Sequence, residues 1–217
     1  MVIAIDGPAG AGKSTVARAV ASALGWRYVD SGAMYRAVAL AVLRAGADAN
    51  DDDAVAAIAQ AARVDLDGKR VWLDGDDVSD RIRASDVTRI VSTVAANARV
   101  RAALLGKQRD LATAADVVME GRDIGSAVLP DAEIKVYLTA AASERARRRA
   151  LEQGLPQDST TLASMERELS RRDTADATRD VAPLTRAEGA HEVDTTGLTL
   201  EEVVERICKL VGERRNG

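Results

Sequence analysis

Phenylalanine is absent from this sequence, and the remaining aromatic residues are two Trp and three Tyr. Aliphatic side chains and alanine must therefore fill the core, and Trp26 and Trp72 read as packing residues rather than platforms for a base. Cysteine occurs once, at Cys208, which excludes an intrachain disulfide and any cysteine-built zinc site. The simplest address for such a chain is a reducing cytoplasm. Cys208 lies on the apolar face of the last expected helix and reads as a packed small hydrophobe. The one histidine, His191, is far in sequence from any motif and reads as structural or solvated. No apolar run is long enough to span a bilayer. The N-terminus runs straight into a strand with neither a basic nor an apolar leader region, so no targeting segment is expected. A formal net charge of −4 gives no footing for a nucleic-acid or membrane surface. What is left is a 217-residue chain, 47 % hydrophobic and 29 % charged, sized for one α/β domain with an inserted module.

What the sequence does have is a phosphate-binding signature at its start. Val2-Ile3-Ala4-Ile5 is a short apolar run of the kind that forms a strand buried on both faces. The next residues, Gly7-Pro8-Ala9-Gly10-Ala11-Gly12-Lys13-Ser14, match G-x-x-x-x-G-K-[ST] at every fixed position. Thr15 leads into an amphipathic helix with Val16, Val20, Ala23 and Leu24 on one face. Glycines let backbone N–H groups curl around an anion without side-chain clashes, and the new helix points its positive end at the same anion. Lys13 is placed to reach β- and γ-phosphates, and Ser14 to offer a hydroxyl to Mg²⁺.

The rest alternates strand and helix. A helix over 12–24 is closed by Gly25, and a strand over 26–29 precedes a helix over 33–45 that Ser31 is expected to cap. Asp51–Ala62 reads as a helix with an acidic start. Alternation at Arg63–Asp67 and Arg70–Leu73, with turns at Gly68-Lys69 and Asp74-Gly75, predicts a small antiparallel meander. After a short turn at Ser79–Arg83, Ser85 is expected to cap a helix carrying Ser92, and a helix over 97–115 carries Arg101. Asp116–Glu120 and Ile134–Leu138 read as buried strands, the first ending in the polar cluster Glu120-Gly121-Arg122-Asp123. Ligands of open α/β sheets sit at such carboxyl ends. An arginine-rich helix over 141–153 is broken by Gly154-Leu155-Pro156, and a helix over 161–172 gives way to the polar stretch Arg171–Arg179. A last strand at His191–Asp194 precedes the capping-box pattern Thr199-Leu200-Glu201-Glu202, which opens a final helix expected to fray from Arg214 to Gly217. The whole predicts a five-stranded parallel sheet with helices on both faces and a small antiparallel β insert.

A phosphate loop implies a nucleotide, not a reaction. A GTPase would show the guanine-reading Asn-Lys-x-Asp, which this chain lacks. A motor or transporter ATPase is normally larger and has an apolar run ending in a carboxylate. Val117–Glu120 resembles that run, but Gly121-Arg122-Asp123 directly behind it is unusual there. A small kinase needs two facing phosphate sites with arginines quenching the charge between them. Arg36, Arg101, Arg122, Arg145, Arg148, Arg149, Arg172 and Arg179 supply that residue type, suited to bidentate phosphate contacts. For Arg145–Arg149 the competing reading is a solvated helix face, with Glu144 four residues before Arg148.

Gly7–Thr15, Asp30-Ser31-Gly32-Ala33-Met34-Tyr35-Arg36, Glu120-Gly121-Arg122-Asp123-Ile124-Gly125, Arg172-Asp173…Asp176…Arg179 and Ala182-Pro183-Leu184 together resemble the motifs of bacterial-type cytidylate kinases, in order and over essentially the whole chain. The resemblance implies a single P-loop kinase domain over 1–217, with a monophosphate-binding insert at about 35–110 and a lid at about 145–162. It implies ATP as phosphoryl donor with Mg²⁺, CMP and dCMP as acceptors, and a monomer. By the same resemblance Ser31, Arg101 and Asp123 read cytosine, Ser92, Arg172 and Asp176 hold the sugar, and Arg36, Arg122 and Arg179 grip the acceptor phosphate. Arg145 with Arg148 or Arg149 belongs to the lid over the ATP phosphates, and Lys13, Arg36, Arg122 and Arg179 form the catalytic set. Ala175 stands where some relatives carry arginine, Ala177 where serine is common, and Glu120 where some carry aspartate. The expected reaction is in-line transfer with no covalent enzyme intermediate. Related small-molecule kinases acting on UMP, AMP or shikimate, and a nucleotide-dependent switch protein, are the alternatives.

Overall fold

The computed structural model describes residues 1–113 and 115–216. In chain order the elements are β1 (Val2–Asp6), α1 (Lys13–Leu24), β2 (Arg27–Asp30), α2 (Ser31–Arg44), α3 (Asp52–Ala61), β3 (Val64–Asp67), β4 (Arg70–Leu73) and β5 (Asp76–Asp77). A 3₁₀ turn at Arg81–Arg83 leads to α4 (Ser85–Ala96) and α5 (Ala98–Thr113). Then come β6 (Val117–Glu120), a π-type turn at Ile124–Val128, β7 (Ile134–Thr139), α6 (Ala142–Glu152), α7 (Ser159–Thr178), β8 (His191–Asp194) and α8 (Leu200–Asn216). The chain divides into two compact units, Met1–Tyr28 with Asp116–Gly217, and Val29–Ala115, so the boundary falls within β2. Among the described residues no helix is long and apolar enough to cross a membrane.

The five-stranded sheet has the order β2-β6-β1-β7-β8, and β1 pairs in parallel with both β6 and β7, as β7 does with β8. In register, Ile3 lies beside Val118 and Ile134, and Ile5 beside Glu120 and Val136. In the first unit Ile3, Ile5, Val118, Val136 and Leu138 are buried in one cluster with Val16 and Val20 of α1 and Val203, Ile207 and Val211 of α8. Ala4 and Met119, whose side chains point to the opposite face, are also fully buried. That two-sided burial is why β1 and β6 read as unbroken apolar runs. Both end in a buried carboxylate, Asp6 and Glu120.

The second unit packs α2 against α3, α4 and the antiparallel sheet β3-β4-β5, around Met34, Val38, Leu40, Leu73, Ile82 and Val87. The meander lies where the two turn signals put it.

Several expected boundaries move, each for a local reason. Asp30, not Ser31, caps α2: its carboxylate accepts from Ala33 N at 2.9 Å, and Ser31 becomes the first helical residue. Ser85 likewise opens α4 from inside, with no side-chain cap before it. α7 is capped by Asp158, which accepts from Thr161 N at 2.9 Å, and runs on to Thr178 rather than ending at Arg172. The polar stretch contains no Gly or Pro before Pro183, so nothing stops the helix there. α8 continues to Asn216 where fraying was expected from Arg214; Arg215 lies over the Trp26 ring at 5.4 Å and helps hold that end. The capping box at its start forms in both directions: Thr199 N donates to Glu202 Oε2 at 2.8 Å, and Glu202 N donates to Thr199 Oγ1 at 3.2 Å. Ala114, inside the expected 97–115 helix, and Gly217 lie outside the described residues. His191 is exposed, and Cys208 is half-buried against the α1–α8 side of the sheet, where burial pushes its thiol up.

Two glycines yield opposite predictions. Gly7 has φ 150°, and a Cβ there would lie 2.2 Å from the Leu138 carbonyl oxygen of β7. Gly106 sits inside α5 with nothing near its missing Cβ. Gly7→Ala is expected to lower stability by about 2 kcal/mol or more, and Gly106→Ala to raise it by about 0.5–1 kcal/mol through the unfolded chain. Urea unfolding of the two variants checks both signs.

Candidate active site

The phosphate loop, Gly7 to Gly12, connects the carboxyl end of β1 to the first turn of α1. Its lysine is folded back: Lys13 Nζ donates to the Pro8 carbonyl at 2.7 Å and is buried. Burial first, and the Arg122 guanidinium second, pull the Lys13 ammonium down to about 7. An ammonium in this position is short of negative charge.

Guanidinium groups surround the loop, and those of Arg122, Arg145, Arg148, Arg149 and Arg179 each grip an oxygen of the chain itself. Arg122 donates from Nη1 to Gly7 O at 2.7 Å and from Nε to Asp176 Oδ2 at 2.8 Å. Arg145 donates to Ala9 O at 2.9 Å and pairs with Asp173, whose other oxygen accepts from Ala9 N at 2.8 Å. Both polar groups of the Ala9 peptide are thus engaged from α6 and α7. Arg148 is held by Glu144 at 2.9 Å and donates to Thr195 Oγ1 and Thr195 O, both at 2.8 Å. Arg149 bonds Glu152 of its own helix at 3.0 Å. Arg179, at the end of α7, donates to Asp123 Oδ1 at 3.0 Å and to Ala182 O at 2.6 Å. Arg172 is half-buried with its Nε unpaired, and burial followed by Arg122 pulls its guanidinium down. Helical spacing explains the supply: Arg172 and Asp176 are four residues apart on α7 and project from one face.

The first unit therefore collects Gly7–Thr15, Arg122, Asp123, Arg145, Arg148, Arg172, Asp176 and Arg179 around the carboxyl ends of β1 and β6, with Arg149 one turn along α6. The expected Ser31, Arg36, Ser92 and Arg101 belong to the second unit. There Ser31 is buried at the start of α2, and Arg36 donates to Thr88 Oγ1 of α4 at 3.2 Å. Ser92 is half-buried on α4, and the buried Arg101 lies over the Tyr35 ring at 5.4 Å.

Two residues without an expected role are prominent here. Asp173 occupies the Ala9 N–H, and Asp6 accepts from Ile124 N and Gly125 N, both at 2.8 Å. Burial pushes the Asp6 carboxyl up to about 6, against the pull of those two hydrogen bonds. The sequence signal for Asp6 was a carboxylate ending an otherwise apolar strand. Ser14, half-buried beside Lys13, and the buried carboxylate of Glu120, which accepts from Tyr28 Oη at 3.0 Å, offer hard oxygens of the type that suits Mg²⁺.

Comparison with known proteins bears on the whole chain. The sequence model of the family "Cytidylate kinase" matches residues 3–213. The cytidylate kinase of Caldanaerobacter subterraneus subsp. tengcongensis is 47 % identical over 215 residues, covering 99 % of this chain and 96 % of that one. The cytidylate kinase of Symbiobacterium thermophilum is 49 % identical over 214 residues, covering 96 % and 95 %. Among solved structures, an uncharacterized protein from Eubacterium ventriosum aligns over 98 % of both chains with a TM-score of 0.54 at 12 % identity, a likeness of fold alone. Near-full-length identity of this order, over a site whose phosphate loop and arginines are assembled as described, places the chain in the cytidylate kinase family.

Proposed function

We propose that this protein transfers the γ-phosphoryl group of ATP to CMP or dCMP, giving ADP and CDP or dCDP. The observation that carries the reading is the phosphate loop ringed by the cationic groups Lys13, Arg122, Arg145, Arg172 and Arg179, with Lys13 and Arg172 both pulled down by burial, in a chain of the cytidylate kinase family. A phosphoryl group moving between two phosphates requires such cations, because negative charge accumulates at one place in the transition state.

The loop N–H groups and Lys13 hold the ATP phosphates, and Arg145 with Arg148 or Arg149, in a lid over about 145–162, covers them. Ser14 would hold the Mg²⁺ that arrives with ATP, and that ion would supply neutralisation of phosphate charge. Arg36, Arg122 and Arg179 hold the acceptor phosphate, and Ser92, Arg172 and Asp176 its sugar. Asp123 accepts from the cytosine amino group, while Ser31 and Arg101 satisfy the ring acceptors. An acceptor phosphate oxygen attacks the γ-phosphorus as the bond to the β-phosphate oxygen breaks. The attacking oxygen is already anionic, so no general base is needed, and Lys13, Arg122 and Arg179 neutralise the charge. The same reading makes it a monomeric, cytoplasmic enzyme of pyrimidine nucleotide metabolism, with 35–110 as the monophosphate-binding insert.

A coupled ADP-release assay with Mg·ATP and CMP, dCMP, UMP, AMP, GMP, shikimate or no acceptor is expected to show fast turnover with CMP and dCMP only. Nucleotide binding without acceptor-dependent turnover would reject phosphotransfer and favour a switch protein. Asp123→Ala is expected to lower kcat/KM for CMP by about 10²-fold while ATP affinity changes little; equal losses for both would refute its role at the base.

The depressed Lys13 ammonium gives a pH prediction. With its pKa at about 7, it is largely neutral at pH 8 in the free protein. Bound phosphate favours the ammonium and raises that pKa, so ATP binding takes up a proton, and affinity falls as pH rises through 7. Calorimetry of Mg·ATP binding at pH 8, in buffers of different ionisation heat, is expected to show uptake of a substantial fraction of one proton. Lys13→Met abolishes it; uptake unchanged in that variant would remove Lys13 from the phosphates.

A further inference from the structure

The Asp6 carboxylate has no part in the chemistry above, yet it is a buried charge at the hinge of the site. It ends β1, is 3 % exposed, and directly precedes the phosphate loop. Its two oxygens accept from Ile124 N and Gly125 N, the peptides that follow Arg122-Asp123. The same stretch is fixed at two further points, one on β1 and one on the phosphate loop: Gly121 N donates to Ile5 O at 3.0 Å, and Arg122 Nη1 to Gly7 O at 2.7 Å. Beyond the contact, Ala127 N and Val128 N return to Asp123 O at 2.9 and 3.1 Å, closing the π-type turn. Gly125 is also packed against Ala187 and Lys135, whose atoms would lie 3.3 Å from a Cβ placed there.

Burying a carboxylate here is costly, since desolvation outweighs both hydrogen bonds in its effect on the proton. A neutral cap would satisfy one N–H at lower cost. Only a carboxylate presents two acceptor oxygens and no donor to two adjacent N–H groups; an amide would turn its own N–H₂ on one of them. We propose that Asp6 is a positioning residue that locks the Gly121–Gly125 turn onto the phosphate loop and so sets Arg122 and Asp123, which meet the acceptor, in register with the donor phosphates. The proposal rests on the phosphotransfer reading for the roles of Arg122 and Asp123. An error of about 1 Å between donor and acceptor costs on the order of 10²-fold in rate, so a rigid link between loop and turn has a kinetic use that a stabilising contact lacks.

The test compares full-length wild type with Asp6→Asn by three readouts: amide hydrogen exchange of segment 121–126, affinity for a non-hydrolysable ATP analogue, and kcat/KM for CMP and UMP. Expected are exchange in that segment faster by about 10-fold or more, kcat/KM for CMP lower by about 30-fold or more, a reduced CMP-over-UMP preference, and ATP-analogue affinity within about 3-fold. Unchanged exchange, or a loss shared equally by CMP, UMP and ATP analogue, overturns the proposal. Exchange and analogue binding need no turnover, so wild type inactive towards CMP would refute the phosphotransfer reading while the lock is still read. Should Asp6→Asn not fold, Asp6→Glu keeps the charge and displaces both oxygens by one methylene, with the same split expected. Failure of both to fold assigns Asp6 to stability alone and overturns the positioning role.

Discussion

Positive charge removed from water is the constraint to which the carboxyl end of β1 answers. Lys13 is buried, and the Arg122, Arg145, Arg172 and Arg179 side chains are buried or half-buried around the loop. A cation in such surroundings costs several kcal/mol unless an anion or a set of acceptors meets it. The chain meets it from within: Asp176 on Arg122, Asp173 on Arg145, Asp123 on Arg179, and the carbonyls of Gly7, Pro8, Ala9 and Ala182. Lys13 and Arg172 are the least well compensated, and both are pulled below their ordinary range. A polyanionic ligand supplies what these two lack. Its binding exchanges internal partners for phosphate oxygens, so affinity is a difference between charge-assisted contacts rather than their sum.

The parts of this arrangement that were legible in the sequence are those whose physics is local. The phosphate loop is a pattern of residue types with a strand before it and a helix after it. The meander is announced by two turns, and the capping box at Thr199 and Glu202 by its spacing. The errors arose where two adjacent residues could do one task, or where composition was taken for conformation. Asp30 and Ser31 are both good caps, and the carboxylate takes the position. The polar run after Arg172 looked like a loop but is helical, because a helix face lined with charge needs no apolar stripe where it meets a site. The π-type turn had no signature at all, and the side chain that meets its first N–H groups, Asp6, lies 118 residues away in sequence.

The acceptor residues illustrate the same limit. Nothing in the spacing of Ser31, Arg36, Ser92 and Arg101 marks them as a set; their assignment came from resemblance to a family. What the structure adds is how the second unit holds them: Arg36 by Thr88 of α4, Arg101 over the Tyr35 ring of α2. A guanidinium on an aromatic face is held by its plane, and Arg101 also donates from Nη1 to Ala95 O at 3.4 Å.

Family membership and site geometry are independent arguments that meet at Arg122-Asp123. The first follows from identity over nearly the whole chain and is silent about atoms. The second identifies atoms and is silent about substrate. Asp123 is almost fully buried, its oxygen held by Arg179 at 3.0 Å, and its peptide anchored through the turn that Asp6 fixes. Under the proposed reading, a carboxylate so confined can accept from the cytosine amino group without rearranging, whereas the carbonyl oxygen of uracil would meet a charge that has nowhere to turn. Discrimination of that kind depends on rigidity already present in the protein, because a mobile carboxylate would swing away and accept either base. The buried charge at the end of β1, costly in itself, joins Arg179 and the Gly121–Ile5 contact in anchoring the stretch that carries Asp123.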